Sequence, residues 1–484
     1  MLMSPRTVLP WAALLSASSA LQPTPPKSAA VAVQDAPTGP GAQQCAGSAR
    51  ARPSAGDPAE LSEDAMAKAA VSGELDAQAD SDRRAIERAA SRGDSGAGAG
   101  LDAAAVIDPK CAADGCIRKV ILEGTYPREA LEPYLEPCLT IENGYTIAVI
   151  EYVTRGRTSL ANVTIPYPRT PPSGGFHIVV NAHGTVGLDD ACQTSDTIYG
   201  TGLAGLFGAR GMIGIAPDYP GLGTPGPLPY LVSNSEGAAV LDAMRAARAL
   251  AALLAIPLSQ RFAAVGLSEG GHAVLAAAAL HAAYAPELDV RGFAAAAPAS
   301  AWFEHWRIGV GSDGSHIAYH AMLIYAWARY YGYDGPSLWT PRAAEQIDSV
   351  MAHDCSFDFG KRRGTYLDQL GTSAAAVFAP DFLRAYRAGH LPPSAAMIEH
   401  AFAVNRIGPY AQTAPLTIWQ GDADDMVPES ITAELVAALR AGGNSVDYRV
   451  IPHGTHITTA FGFLAQNQWA TAISLAWVRE RLEH

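Results

Sequence analysis

The sequence predicts an α/β fold with a mostly parallel central sheet, helices on both faces of that sheet, and an inserted helical cap. From about Val106 onward, short apolar runs alternate with amphipathic stretches, the order of elements expected of parallel strands joined by helices. The later apolar runs are continuous, as in strands covered on both faces. Residues 301–405 interrupt this alternation with a helical pattern rich in aromatic side chains, which indicates an insertion.

The composition indicates a large core and an acidic surface. Hydrophobic residues make up 49% of the 484 residues and charged residues 17%, enough apolar material for a large globular unit. The formal net charge is −13, and such a surface repels phosphate backbones, which argues against a nucleic-acid partner. We find no convincing cluster of metal ligands in the sequence and expect neither a metal nor an organic cofactor.

The first 105 residues are expected to precede the folded unit. Residues 1–20 have the features of a signal peptide, because Arg6 is followed by a mostly apolar stretch from Val8 to small residues at Ala20. Residues 21–105 are rich in small and polar residues, which predicts a disordered low-complexity leader. No later apolar segment is long enough for a membrane span. We therefore expect a secreted protein or one of the periplasm or cell envelope.

The even number of cysteines is compatible with disulfides in such a compartment. A C-x-x-C motif is absent, and the spacing of Cys111 and Cys116 favours a small closed loop over a zinc site. The six cysteines are Cys45, Cys111, Cys116, Cys138, Cys192 and Cys355.

Eight segments have the pattern of strands. The first two alternate polar and apolar residues and flank a turn at Arg155-Gly156, which predicts an antiparallel pair. The others are continuous apolar runs. The predicted strands are Tyr145–Val153, Ser159–Ile165, His177–Asn181, Met212–Pro217, Phe262–Gly266, Arg291–Ala296, Leu416–Gln420 and Val446–Ile451.

Helical patterns fill the intervals between these strands. Ser233-x-x-Glu236 has the form of a capping box and predicts a helix that continues to Leu253. A C-terminal helix would place Trp469 and Trp477 on one buried face. The predicted organisation is thus a core made of residues 106–300 and 406–484, interrupted by the cap at 301–405.

The G-x-S-x-G motif from Gly266 to Gly270 points to chemistry at Ser268. An apolar strand precedes it, and an alanine-rich helix from Gly271 follows it. Glycines allow the tight strand-to-helix turn that exposes a nucleophilic serine above a sheet edge. A turn without chemistry is the alternative. A serine hydroxyl needs a base to take its proton, so this prediction requires an acid and then a histidine further along the chain.

A candidate acid and a candidate base follow the last two predicted strands. Asp424 fits a D-x-x-V-P spacing at the carboxyl end of one strand, where catalytic groups of such sheets gather. Asp422 and Asp425 are the alternatives. His456 ends the loop after the final strand and is the predicted base, with His453 as the alternative.

The developing oxyanion also needs hydrogen-bond donors. Sites of this kind take one backbone N–H from the residue after the nucleophile, here Glu269, and another from the loop after an early strand. Thr185 in the His183-Gly184-Thr185 loop is the predicted second donor, and His183 itself is expected to be structural.

These motifs together resemble the secretory lipases, the lipase A-type family of fungi and actinobacteria, over about residues 111–484. The resemblance implies an α/β-hydrolase fold with a helical cap, hydrolysis of carboxylic esters, and a disulfide between Cys192 and Cys355. One departure is Glu269, because bacterial relatives commonly have Gln there; we expect its carboxylate to point away from the oxyanion or to pair with a neighbour. The matching motifs are Ala182–Thr185, Gly187, Cys192, Ala216–Pro225, Pro229–Leu231, Ser235–Gly237, Arg245–Arg248, Gly266–Gly270, Tyr284–Leu288 and Asp424–Pro428.

The predicted activity is that of a lipase or esterase acting through an acyl-enzyme. We expect a monomer with a small-molecule or lipid ester as substrate, transient contact with lipid interfaces, and no transmembrane segment. An acyltransferase, a peptidase using the same triad, and a catalytically silent ligand-binding scaffold are the alternatives.

Overall fold

The computed structural model describes most of the chain from residue 104 onward. The predicted signal peptide and nearly all of the predicted leader, together with Trp469, lie outside the described residues. These residues are 81–82, 84, 104–131, 141–300, 306–307, 309–311, 313–314, 316–333, 338–356, 369–391, 396–410, 414–456, 458–459 and 473–483.

Strands and helices alternate over most of this part of the chain. The strands are β1 Ala104–Val106, β2 Ile117–Tyr126, β3 Gly144–Thr154, β4 Arg157–Tyr167, β5 Phe176–Ala182, β6 Ile213–Pro217, β7 Leu258–Leu267, β8 Asp289–Ala296, β9 Leu416–Gly421 and β10 Val446–Ile451. The helices are α1 Arg128–Leu131, α2 Ile198–Gly208, α3 Ser233–Leu253, α4 Glu269–Tyr284, α5 His316–Tyr330, α6 Pro341–His353, α7 Ala374–Val377, α8 Pro380–Arg387, α9 Ala396–Asn405, α10 Glu429–Ala441 and α11 Ile473–Glu483.

The strands form one ten-stranded sheet in the order β1-β2-β3-β4-β6-β5-β7-β8-β9-β10. Strands β5 to β10 run parallel to their neighbours, and β1 to β4 form an antiparallel extension that joins the parallel part through β6. The predicted antiparallel pair is confirmed, since Thr154 faces Arg157 across the turn at Arg155-Gly156. The predicted mostly parallel sheet with flanking helices is also confirmed.

Two strands were not predicted. In β2, shifts of register near Lys119 and Gly124 interrupt the pairing with β3. A bulge of this kind displaces the alternation of buried and exposed side chains on which strand prediction depends. The three-residue β1 is too short to show any alternation.

Most helices use their apolar face to cover the sheet, and the segment between β8 and β9 has a core of its own. The main cluster lies between the sheet and α3, α4 and α10. A second cluster joins α5, α6, α8 and α9, with Trp327 and Tyr386 among its fully buried side chains. No helix in the described ranges is both long and apolar enough to cross a membrane.

The predicted capping box at Ser233 is wrong, although α3 does cover the predicted range. The residue that caps the helix is Val232, and no side chain bonds to its free N–H groups in the manner of a cap. Glu236 instead accepts a hydrogen bond from Leu231 N, and Ser233 Oγ donates to Asn405 O. Hydrogen bonds to Leu231, just before α3, and to Asn405 of α9 therefore replace the predicted pairing of Ser233 with Glu236.

Candidate active site

Ser268 lies in the tight turn that joins β7 to α4. Its backbone has φ 57° and ψ −116°, a combination that non-glycine residues rarely adopt and that costs on the order of 1–3 kcal/mol. A Cβ on Gly266 would overlap the carbonyl of Gly270, so this sharp a turn requires glycine at that position. The side chain of Ser268 is half-buried at the carboxyl end of the sheet.

Close approach of backbones fixes this turn against β5. A Cβ on Gly270 would overlap the carbonyl oxygen of Ala182, the last residue of β5. A Cβ on Gly184, in the next loop, would lie 3.3 Å from Leu267 O and 3.7 Å from Ser268 Cβ. The loop after β5 therefore lies directly beside the serine.

Asp424 follows β9 and its carboxylate is hydrogen-bonded through both oxygens. Oδ1 accepts from the backbone N–H groups of Met426 at 3.0 Å and Val427 at 2.8 Å. Oδ2 accepts from Gln420 Nε2 at 3.0 Å, and Thr432 Oγ1 donates to Gln420 Oε1 at 2.6 Å, which orients that amide. The side chain of Asp424 has no exposed surface.

His456 is held by this carboxylate. Its Nδ1 lies 2.9 Å from Asp424 Oδ2, and its side chain remains 17% exposed. The backbones of the two loops are also joined, because Ala423 N donates to Gly454 O at 3.0 Å. With Nδ1–H directed at Asp424, Nε2 has a free lone pair that can accept a proton.

The alternative acid and base residues occupy other positions. Asp422 accepts a hydrogen bond from His453 N at 2.6 Å and so braces the histidine loop. Asp425 and His453 are exposed, and neither side chain is hydrogen-bonded to the Asp424–His456 pair. The geometry favours Asp424 and His456 over these three residues.

The serine and the Asp424–His456 pair share one edge of the sheet. Ser268 N donates to Ala296 O at the end of β8, and Ala297 N donates to Trp419 O in β9. Two strand spacings separate β7 from β9, roughly 10 Å. Among the described residues, Ser268 Oγ has no hydrogen bond, and the ring of His456 is bonded to Asp424 alone. Catalytic hydrogen bonds are often long in a free enzyme and tighten with substrate.

Two backbone N–H groups are available next to the serine. Within the described part of the chain, neither Thr185 N nor Glu269 N donates a hydrogen bond. Glu269 is the first residue of α4, whose N-terminal dipole favours negative charge. Both N–H groups are therefore available to a ligand beside the serine.

A buried histidine supports the loop that carries Thr185. His183 Nδ1 lies 2.7 Å from Gly184 O, and its Nε2 lies 3.7 Å from Asp218 Oδ1. Burial lowers the pKa of His183, against the opposing effect of Asp218. Asp218 also accepts from Thr194 N and Ser195 N, so this carboxylate ties the loop to the chain before α2.

The carboxyl of Glu269 is buried and pairs with Glu236, a residue whose role was predicted wrongly. Glu269 is 1% exposed and Glu236 is 0% exposed. Burial raises the pKa of Glu269 to about 8, while hydrogen bonding to Thr185 and Glu236 lowers it. Burial, and next the charge of Glu269, raise the pKa of Glu236 well above its usual value. In the sequence, the small residues after Glu236, beginning with Gly237, were the signal that this part of α3 packs closely against a neighbour.

Two disulfides are present in the described residues. Cys192 and Cys355 are joined, with an S–S distance of 2.05 Å, and connect the short 3₁₀ turn Asp190–Cys192 to the end of α6. Cys111 and Cys116 close a small loop before β2. Cys45 and Cys138 lie outside the described residues.

A sequence profile of the secretory lipase family matches residues 193–305, which include Ser268 and the turn around it. The predicted resemblance to the secretory lipases is confirmed. The same match supports the expected enzyme class, a carboxylic ester hydrolase of the lipase or esterase type. A comparison with curated protein sequences finds no match.

Solved structures similar to this chain include esterases and a lipase. The rice cell wall degrading esterase LipA from Xanthomonas oryzae aligns with a TM-score of 0.62 at 21% identity, over 77% of this chain and 99% of that chain. A protein from Legionella pneumophila gives a TM-score of 0.61 at 21% identity, over 73% of this chain and 96% of that chain. Closed Candida antarctica lipase A gives 0.56 at 16% identity, over 77% and 83%. At these identities the likeness concerns the fold.

Proposed function

We propose that this protein is a secreted serine carboxylic-ester hydrolase with Ser268 as nucleophile, His456 as general base and Asp424 as the acid of the triad. The observation that carries the proposal is the 2.9 Å Asp424–His456 hydrogen bond, at the same sheet edge as the strained Ser268 turn. The family match around Ser268 supports the choice of nucleophile.

The reaction proceeds by two acyl transfers. Nε2 of His456 takes the hydroxyl proton of Ser268 as Oγ attacks the ester carbonyl, and the N–H groups of Thr185 and Glu269 stabilise the oxyanion. The protonated imidazole then gives its proton to the leaving alcohol, and Asp424 stabilises the imidazolium. Water, deprotonated by His456, releases the acid from the acyl-enzyme.

The arrangement of the chain fits an enzyme that is exported. In the proposed organisation, residues 1–20 are removed as a signal peptide, residues 21–105 form a leader, and 301–405 cap a core of 106–300 and 406–484. The Cys192–Cys355 disulfide agrees with an oxidising compartment and fastens the cap to the core. In this proposal the protein acts as a monomer on small or lipid esters and contacts lipid interfaces only transiently.

A panel of p-nitrophenyl esters from acetate to palmitate, with an emulsified triglyceride, tests this function. We expect hydrolysis by the wild type and a loss of at least about 10³-fold in kcat for Ser268→Ala, because removal of a triad member removes its proton transfer and covalent step. Ser430→Ala is the matched control, since Ser430 is an exposed serine of α10. A wild type inert toward every ester, or an active Ser268→Ala, would contradict the proposal.

The same assay separates hydrolysis from the alternatives. Added alcohol that captures the acyl group faster than water would identify an acyltransferase. Cleavage of peptide anilides at rates near those of esters would identify a peptidase.

A further inference from the structure

Two buried carboxyl groups lie next to the proposed oxyanion hole, and the reaction above uses neither of them. Glu236 comes from the first turn of α3, and Glu269 begins α4 immediately after the nucleophile. The carboxyl of Glu269 lies against Glu236 and the hydroxyl of Thr185, and hydrogen bonding to these two groups lowers its pKa against the effect of burial. The side-chain pair therefore joins the two segments that supply the proposed oxyanion N–H groups.

Too few hydrogen-bond donors surround Glu236 and Glu269 for both carboxyl groups to be ionised. Leu231 N donates to Glu236 Oε1 at 2.6 Å. Glu236 Oε2 and Glu269 Oε1 are buried, and no described group donates to either oxygen. Burying an acceptor without a donor is costly, and two adjacent carboxylates disfavour the doubly charged form. One proton between the carboxyls supplies a donor and removes one charge.

We infer that Glu236 and Glu269 share a single proton and act as a positioning pair for the oxyanion hole. The inference rests on the proposed function and names a further requirement of that site. The shared O–H···O bond, with the Thr185 hydroxyl, keeps the loop after β5 aligned with the N-terminus of α4. The N–H groups of Thr185 and Glu269 then face the same developing oxyanion.

The other titratable groups that lie near Glu236 and Glu269 do not change charge in mildly alkaline solution. Tyr230 contacts Thr185 with its hydroxyl at 3.0 Å, and burial, then Glu269, raise its pKa well above the usual value. Tyr319 of α5 faces Tyr230, and burial raises its pKa also. Burial lowers the pKa values of His183, in the loop after β5, and His272, in α4, so both rings are neutral there.

Loss of the shared proton damages the site in two ways. It leaves two buried negative charges beside the position where the oxyanion forms, and it breaks the bond that aligns the two donors. Both effects act on the transition state more than on the bound ester, so kcat falls while KM changes little. A purely structural pair would give no such split with pH.

The first test is the pH profile of kcat for a p-nitrophenyl ester between pH 6 and 10. For the wild type we expect kcat to fall on the alkaline side, above the pKa of about 8 at which Glu269 ionises, as Glu236 gives up the proton that remains between them. Glu269→Gln should lose this alkaline fall, because an amide donates to Glu236 without titrating. Glu269→Leu, which has no donor, should lower kcat about tenfold at pH 7 with KM within about twofold. Glu345→Gln, at an exposed carboxylate of α6, is the control.

The second test does not depend on activity. A carboxyl whose pKa is raised on folding stabilises the protein below about pH 4.5 and loses that contribution as the pH rises toward 8. Between pH 7 and pH 9, above the range in which the buried histidines affect stability, the urea midpoint of the wild type should therefore fall, and Glu269→Gln should reduce this fall. The measurement remains valid if Ser268→Ala shows that the proposed function is wrong.

The outcomes separate the two proposals. An alkaline fall in kcat that persists unshifted in Glu269→Gln would overturn the positioning pair, as would a Glu269→Leu variant with wild-type kcat at every pH. Identical pH dependence of unfolding in the wild type and Glu269→Gln would overturn the shared proton itself.

Discussion

The carboxylate of Asp424 shows how single residues set the geometry of the proposed triad. Two backbone N–H groups, the Gln420 amide and the His456 imidazole all donate to it, so it has the contacts that an ionised carboxylate needs in a buried position. The two donors from Met426 and Val427 come from the turn that ends β9. The sequence around Asp424 thus provides both the acid and its orientation.

Asp424→Asn should lower kcat about 10⁴-fold for ester hydrolysis while leaving the fold intact. The amide offers a donor as well as an acceptor to His456 Nδ1, so it no longer selects the tautomer whose Nε2 can take the serine proton. Steady-state kinetics with a short-chain ester measures the loss, and circular dichroism checks the fold.

Asp425→Asn is the matched control for that measurement. It makes the same chemical change one residue along the chain, at an exposed side chain. It should retain wild-type kcat. An equal loss of activity in both variants would mean that the acid has been assigned to the wrong residue.

At the residue scale, the tight turn around Ser268 could be predicted from the sequence because backbone contacts require the glycines of its motif. Glu236 was assigned to a local cap because its spacing from Ser233 fits one. Its hydrogen-bond donor is Leu231, just before α3, and its other neighbour, Glu269, is brought to it by the packing of α3 against α4, which no local pattern encodes.

At the scale of elements, the main question is how the segment between β8 and β9 is attached to the sheet. The disulfide from Cys192 to Cys355 is the covalent link. Beside it, Ser356 N donates to Val186 O at 2.7 Å. On the other side, Trp327 Nε1 of α5 donates to Tyr230 O at 2.8 Å. The attachment therefore reaches the same loops that carry Thr185 and Tyr230.

Removing the long-range disulfide should destabilise the protein more than removing the short one. The chain-entropy model gives about 5 kcal/mol for a loop of 163 residues, as in Cys192–Cys355, and about 2 kcal/mol for the separation of 5 residues in Cys111–Cys116. Urea unfolding of the two double Cys→Ser variants compares them. A larger loss from the Cys111–Cys116 variant would contradict this account of the attachment.

Strands were predictable to the extent that their side chains keep a simple period. The parallel strands β5 to β9 are mostly buried and contain continuous apolar runs, whereas the edge strand β10 is partly exposed and includes Asp447 and Arg449. Strands β3 and β4 mix polar with apolar residues and flank the turn at Arg155-Gly156, and both were found. Strand β2 has ten residues but was missed, because its shifts of register change which side chains face the core.

At the scale of the whole molecule, buried histidines link folding to pH. His272 in α4 lies between Ala299 O and Ser233 Oγ, and burial lowers its pKa to about 4. His320 in α5 packs edge-on against Trp306, and burial, then His316, lower its pKa to about 3. Both rings are neutral in the folded protein under conditions where an unfolded histidine takes up a proton.

The buried histidines should remove stability as the pH falls from about 6.5 toward 4, against the opposite effect of the buried Glu236 and Glu269 carboxyls. In that range the two histidines bind more protons in the unfolded chain than in the folded chain, and each contributes up to about 1.4 kcal/mol per pH unit. His320→Met, which removes one titrating ring, should make the dependence of the urea midpoint on pH shallower. His390→Met, at an exposed histidine, should leave it as in the wild type. Parallel curves for all three proteins would contradict this assignment.

In the proposed mechanism Ser268 is made nucleophilic by His456. Labelling with a fluorophosphonate, followed by peptide mapping, measures this activation, because the reagent bonds covalently to a serine only where a base activates it. We expect one modified peptide containing Ser268 in the wild type, and none in His456→Ala. Modification of a different serine, or labelling of Ser268 that continues unchanged in His456→Ala, would contradict it.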